Sequence, residues 1–382
     1  MLLPAHRRLL DQVCRDVETG APCLTGETEL LVPVDRYLSP GRFERERDLL
    51  RRLPLVVAHA SEVEEPTSCL RVDALGVSAI IVRGRDGALR AFLNACRHRA
   101  TQLVGDEAPC QRKAFVCPYH GWTYDLAGQL VHMPHEQAFP GVDRSRHGLV
   151  ELPVTSAHGF VWLTLTPRAA DEAPDLHLGS LGEDLAAFGT DDLVVFRRTS
   201  SSCQANWKLL VEAFLENYHV RHLHRDTIYR FFLDAIGAFE AEGGHIRALT
   251  ARRGLSIAST VETTDQLRAL ASPSYYIFPS TILVIHPDYV SHLGILPEAP
   301  DRLRCVHTML VPRARADERE HWEKSFALID GGVFQREDYA TAARMQAGLA
   351  TGANQHLTFG LLEQTVRWFH DAIDRALSAT SR

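Results

Sequence analysis

Apolar positions change their spacing along the chain, and each change marks a different kind of element. In the first 55 residues Leu3, Leu9, Leu10 and Val13 fall at near-helical intervals among Arg, Asp and Glu. This predicts an amphipathic helix near 5–17, and a second helical stretch near 40–52 that Pro54 brings to an end. Between 55 and 166 the pattern becomes short β-rich runs: VSAIIVR, LRAFLNA, KAFVCPY and GFVWLTL. Turn signals such as RGRDGA and DLAGQ separate them, which predicts a compact all-β domain. The Pro-, Gly- and acid-rich stretch 167–182 reads as a domain boundary. Beyond it come a strand-like LVVFRRTSSS and a helix-like NWKLLVEAFLENYHVRHLH over 206–224. Extended segments follow near 245–262, 275–286, 289–296 and 302–312. Helices around 317–350 and 359–378 close the chain. In the last, Leu361, Leu362, Val366, Phe369 and Ile373 recur at near-helical spacing, a stripe that reads as core packing. The expected fold class is therefore α+β: a helical segment over 1–50, an all-β domain over 51–166, and a sheet-plus-helix domain over 167–382.

Composition narrows the function. Hydrophobic residues make up 45% and charged residues 23% of the 382, which excludes a mainly disordered chain. A net charge of −7 gives no global positive field for nucleic acid. No apolar run reaches the roughly 18 residues of a spanning helix, so no membrane segment is expected. The N-terminus has early arginines and acids and no apolar h-region, so a cytoplasmic location is expected. Eight cysteines are too few for a disulfide scaffold. Metal-ligand spacing is then the question to ask of them.

Two of them answer it. Cys96-Arg97-His98 and Cys117-Pro118-Tyr119-His120 supply two thiolates and two imidazoles on two turn-like segments. A structural zinc site uses the same set. A Rieske [2Fe–2S] cluster puts two cysteines on one iron and two histidines on the other. Here each segment gives one Cys and one His, and Gly121-Trp122 follows the second His. That order favours the cluster over zinc. Cys14, Cys23, Cys69, Cys110, Cys203 and Cys305 find no partner by spacing and read as buried free thiols.

The 206–224 stretch carries a second constellation: Glu212, Glu216, His219, His222 and His224. Imidazole with carboxylate suits iron, and a two-histidine, one-carboxylate triad leaves positions open for dioxygen. Spacing does not choose the pair. His219 and His222 share a helical face, whereas His219 and His224 converge only if the helix ends or distorts between them.

The strings CRHRATQ…CPYHGWTYDLAGQL and NWK…ENYHVRHLH, in this order and separation, resemble the catalytic (alpha) subunit of Rieske non-haem iron oxygenases over roughly 35–370. The resemblance implies a β-rich Rieske [2Fe–2S] domain and a helix-grip catalytic domain around a mononuclear Fe(II). It places the cluster on Cys96, His98, Cys117 and His120. It places the mononuclear iron on His219, His224 and Asp338, with Glu337 and Asp330 as competing carboxylates expected to be solvated. Many family members have Asp three residues before the first histidine ligand, where this chain has Glu216, as does a choline- and carnitine-oxidising branch. The resemblance makes Glu216 the bridge between the two centres across a subunit boundary, which implies a homotrimer.

No G-x-G-x-x-G follows a strand, so NAD(P)H is expected to act only through a separate reductase or ferredoxin. Arg97, Arg99, Arg112 and Lys113 crowd the cluster segments and suit an acidic redox partner. The implied activity is hydroxylation or oxidative demethylation of a small organic substrate with O₂. Val284 and His286 share a strand face with Ile282 that could line an apolar pocket. Tyr275, Tyr276, Phe278 and Tyr289 are available for an alkylammonium cage. The substrate stays open between these. The competing functional class is an electron-transfer Rieske protein without oxygenase activity.

Overall fold

The computed structural model describes residues 2–379 apart from 23, 25, 107 and 168–172. It divides into two compact units, 50–176 and a second made of 1–49 with 177–382. The expected boundary at 167–182 falls partly outside the described residues. The N-terminal helices do not form a segment of their own; they belong to the unit that holds 177–382.

Among the described residues the 50–176 unit is β-rich, with one antiparallel sheet of five strands, two of three, and three short 3₁₀ turns. Alternation explains the largest sheet: Val77–Arg83 pairs with both Ser68–Ala74 and Leu89–Leu93. Ile80, Val82 and Phe92 enter a core shared with Phe115, Trp122 and Tyr124. Cys69 and Cys110 lie opposite each other on paired strands, with Sγ atoms 2.7 Å apart. They had been expected to lack partners; sequence separation hid a cross-strand pair. Cys23 lies outside the described residues.

The other unit is built on a seven-stranded antiparallel sheet. Its order is Leu193–Cys203, Arg302–Pro312, Val290–Ala299, Thr281–Ile285, Ala271–Ile277, His245–Arg252 and Phe232–Glu242. The last strand is absent from the sequence reading. Its alanines, glycine and acids give a weak β pattern, and its register shifts between Phe232 and Gly237.

Helices pack on this sheet. Pro4–Thr19 lies against the edge strand Phe232–Glu242 and its neighbour His245–Arg252, burying Leu9, Leu10 and Val13. His6 reaches Tyr275 at 3.1 Å and Asp184 at 3.1 Å. Thr365–Ala379 buries Val366, Phe369 and Ile373, with Phe369 edge-on to Trp207.

The helix expected over 206–224 is broken. Asn206 caps Trp207–Ala213 through the Lys208 amide. A turn follows, then the four-residue helix Val220–Leu223. Downstream, Arg319–Phe326 runs into a 13-residue π-helix, Ala327–Tyr339, and then into Ala340–Ala350.

Candidate metal centres and the adjoining cavity

In the 50–176 unit two turns present the first ligand set. The Cys96 amide donates to Thr101 O at 2.9 Å, and the Cys117 amide to Trp122 O at 2.8 Å. Gly121 has φ +72°, and a Cβ there would sit 3.3 Å from the Pro134 ring. Both cysteines are buried, His98 is half-buried and His120 is exposed. The two imidazoles lie 4.7 Å apart, and His98 stacks on Trp122. His98 Nδ1 is buried without a hydrogen-bond partner, as expected of an atom that awaits a ligand bond. The Tyr124 hydroxyl accepts from the Arg97 amide at 2.9 Å and stands 3.4 Å from Cys96 Sγ. Arg97, Arg99, Arg112 and Lys113 are all exposed.

In the other unit the break in the helix resolves the spacing problem. His219 and His224 flank Val220–Leu223, and both rings turn to one side, their centroids 5.0 Å apart. The π-helix delivers Asp338 to the same point. One ligand atom from each of His219, His224 and Asp338 lies within 4.8 Å of the others. His222 is exposed and takes no part. Glu212 is spent on the Tyr37 hydroxyl at 2.8 Å and His370 at 2.9 Å.

The proton positions follow from the acceptors. Glu216 accepts from His219 Nδ1, and Glu337 accepts from His224 Nδ1 at 2.6 Å. A carboxylate only accepts, so both imidazoles carry their proton on Nδ1. The two Nε2 atoms then face each other at 3.2 Å with lone pairs inward. Asp338 Oδ1 lies 3.3 Å from His224 Nε2 and is buried without a hydrogen-bond partner. Three electron-rich atoms converging in a buried site fit a cation. Burial would depress the His219 pKa, but the Glu216 and Asp338 charges outweigh it and raise it above the ordinary histidine value, so its Nε2 attracts a positive charge, proton or metal ion.

Glu337 and Asp330, expected to be solvated, are not. Glu337 orients His224 and also accepts from Thr227 at 2.8 Å. Asp330 is buried and bound to His307 at 2.8 Å and Thr199 at 2.9 Å. Neither faces the metal-ligand atoms: Glu337 orients a ligand from behind, and Asp330 serves His307 and Thr199.

A cavity of about 210 Å³ opens beside the triad. Phe214, Ile228, Phe231, Leu328 and Phe334 give it apolar walls, and Asn217 borders it near His219. The sheet contributes Thr250, Arg252, Ser272, Ser274, Val284 and His286. Of the four aromatics available for an alkylammonium cage, only Tyr289 lines the cavity, stacked on His286 at 4.1 Å. Tyr275 and Tyr276 point elsewhere, to His6 and to Pro279 O. Burial, with the charges of His307, Arg252 and Arg268, holds His286 well below the ordinary histidine pKa, so it is neutral near pH 7.

The segments that carry these two constellations each match a known family of domains. Residues 54–151 match the Rieske [2Fe-2S] domain, and 190–379 match the ring hydroxylating alpha subunit catalytic domain. The chain belongs to the Rieske ring-hydroxylating oxygenases and is a catalytic alpha subunit of that oxidoreductase family. It is 25% identical over 358 residues to the chloroplastic choline monooxygenase of Atriplex hortensis, covering 91% of this chain and 78% of that one. It is 31% identical over 206 residues to the carnitine monooxygenase oxygenase subunit of Escherichia coli K12, covering 53% of this chain and 54% of that one. The fold matches a quaternary ammonium Rieske monooxygenase with a TM-score of 0.78 at 19% identity, over 98% of this chain and 99% of that one. It matches naphthalene 1,2-dioxygenase from Rhodococcus with a TM-score of 0.75 at 21% identity, over the full length of both. Among the described residues no helix is long and apolar enough to cross a membrane.

Proposed function

We propose that this chain is the terminal oxygenase of a multicomponent system that hydroxylates, or oxidatively demethylates, a small organic molecule. In this reading Cys96, His98, Cys117 and His120 hold the [2Fe–2S] cluster, and His219, His224 and Asp338 hold a mononuclear iron. The observation that carries it is the inward meeting of two Nε2 lone pairs and an orphaned carboxylate oxygen beside a cavity. When bound, a ferrous ion on such a face supplies open positions for dioxygen next to the substrate.

The chain's own groups do the rest. Glu216 and Glu337 hold the Nδ1 protons, which fixes the tautomer and aims Nε2 inward. Phe214, Ile228, Leu328 and Phe334 exclude water from the reacting region. His120, exposed beside Tyr119 and the basic side chains Arg97, Arg99 and Lys113, forms the face for an acidic reductase or ferredoxin, which draws on NAD(P)H. Glu216 is the proposed link from His219 to the cluster of a neighbouring copy, which requires a ring-shaped homotrimer. The quaternary ammonium and naphthalene enzymes that share the fold suggest the range of substrates, from alkylammonium to aromatic.

The test is an iron and acid-labile sulfide count on anaerobically purified protein. About three irons and two sulfides per chain are expected, with a Rieske EPR signal. His224→Ala should lower the iron to about two and leave the Rieske signal. A wild-type protein that saturates at about two irons would favour electron transfer alone, and zinc without sulfide would overturn both centres.

A further inference from the structure

The cavity beside the triad contains a cation with no carboxylate to match it. Arg252 ends the His245–Arg252 strand, and it is the only Arg or Lys among the described residues that line the cavity. Its guanidinium carries five N–H donors. Among the described residues it makes one hydrogen bond, to Ser272 Oγ at 3.3 Å, and no ion pair. The rings of Phe231 and Phe232 lie 5.5 and 5.3 Å away, and such cation–π contacts leave the donors unspent. Nearby Arg268 differs: it is buried and donates to His286 O at 2.6 Å and Tyr289 O at 2.9 Å. Burial lowers the Arg252 pKa below its ordinary value, with only Tyr289 opposing. Arg252 is half-buried, and its donors beyond the one to Ser272 are left for a partner in the cavity.

Register gathers hydroxyls around it. Thr250 pairs with Ser272, and Ser274 pairs with Val284, all on the cavity side of the sheet. The metal-ligand triad comes instead from the helical side. The cavity's two acidic residues, Glu216 and Asp338, belong to that side: Glu216 accepts from His219, and Asp338 faces the two histidines. An apolar cavity of about 150 Å³ holds benzene. The present one, at about 210 Å³, has room for one ring or a short chain with a substituent.

Building on the oxygenase reading above, we propose that Arg252, with Ser272 beside it, binds a carboxylate of the substrate. The enzyme then acts on small organic acids whose apolar body extends from the sheet wall towards His219, His224 and Asp338. A lone cation such as choline is disfavoured, because Arg252 repels it and Tyr275, Tyr276 and Phe278 do not line the cavity. Aromatic acids and zwitterionic acids share the required group.

The experiment titrates iron-loaded holoenzyme with benzoate, cyclohexanecarboxylate, carnitine, benzamide and choline. Binding is followed by calorimetry and by the EPR signal of nitric oxide added to the ferrous protein. At least one acid should bind and perturb that signal, with benzamide and choline about 10-fold weaker or worse. Arg252→Gln should weaken the acid about 10- to 100-fold and leave benzamide unchanged. Arg252→Lys should retain part of the preference, and Ser272→Ala should give a smaller loss. Tighter carnitine marks a zwitterionic substrate, and tighter benzoate an aromatic one; either supports the anchor. Equal binding of benzoate and benzamide, an unchanged preference in Arg252→Gln, choline surpassing carnitine, or no acid binding to iron-loaded enzyme would each overturn it. Absence of any ferrous–nitric oxide signal would instead count against the mononuclear iron itself.

Discussion

His224 is held from two directions, and the difference between them separates a ligand from its support. Its Nε2 meets His219 and Asp338, while its Nδ1 donates to Glu337. Partners that orient an imidazole typically change metal affinity about 10- to 100-fold. Glu337→Gln should therefore weaken retention of the mononuclear iron within that range, because an amide oxygen still accepts the proton but carries no charge. Glu337→Leu should weaken it further. Iron remaining after timed dialysis against a mild chelator measures this, with the Rieske signal as internal control. At this scale the sequence was readable where residue types cluster. The ligand set rested on the family resemblance, and the local pattern left Asp338, Glu337 and Asp330 as alternatives. What distinguishes them is direction. Asp330 turns to His307 and Thr199, Glu337 turns to His224 and Thr227, and Asp338 turns inward. Side-chain direction on an irregular helix is not written in composition.

Elements decide that direction. The i,i+5 histidines converge because the chain stops being one helix at 214 and restarts for only four residues. The stretch 206–224 reads as one helix, and its pattern does not show the turn through Glu216 and Asn217. The closing helix was legible in the same partial way. Its length was anticipated, and its π character over Ala327–Tyr339 was not, since a wider turn leaves little trace in apolar spacing. That geometry is open to a direct test. Removing Gly331, around which a Cβ would meet nothing within 4 Å, shortens the wide helix without deleting a packed side chain. One residue corresponds to about 100° of rotation in an α-helix. Asp338 should then swing away from the histidines. The deletion variant is expected to keep its cluster, lose the mononuclear iron and lose oxygen uptake. Retention of about three irons would show that the wide helix does not set the register of Asp338.

For the whole molecule, the order of the chain and the order of its units differ. Residues 1–49 and 177–382 form one unit, and 50–176 lies between them in sequence. The early helices are part of the catalytic core. Glu46 is fully buried, pairs with Lys208 at 2.6 Å and accepts from the Trp207 indole at 3.1 Å. Tyr37 donates to Glu212, and the Arg7 guanidinium donates to Val261 O at 2.8 Å. Sequence reading treated 1–50 as separate because helical periodicity says which face is buried, not against what. The energetic consequence is large. Deleting Glu46 leaves an ammonium buried without its counter-charge, which costs about 3–5 kcal/mol when one partner of a buried pair is removed. That alone is a large share of a domain's stability of about 5–15 kcal/mol. A fragment of 177–382 should therefore fail to fold, and Glu46→Ala in the full chain should melt early in its catalytic unit. The 50–176 fragment has its own core of Ile80, Phe92, Phe115, Trp122 and Tyr124. It should fold alone and give a Rieske spectrum when reconstituted. Circular dichroism and EPR on the two fragments make the comparison. A stably folded 177–382 would mean that the helical contacts of 1–49 are dispensable, and that the Glu46–Lys208 pair contributes far less than its burial implies.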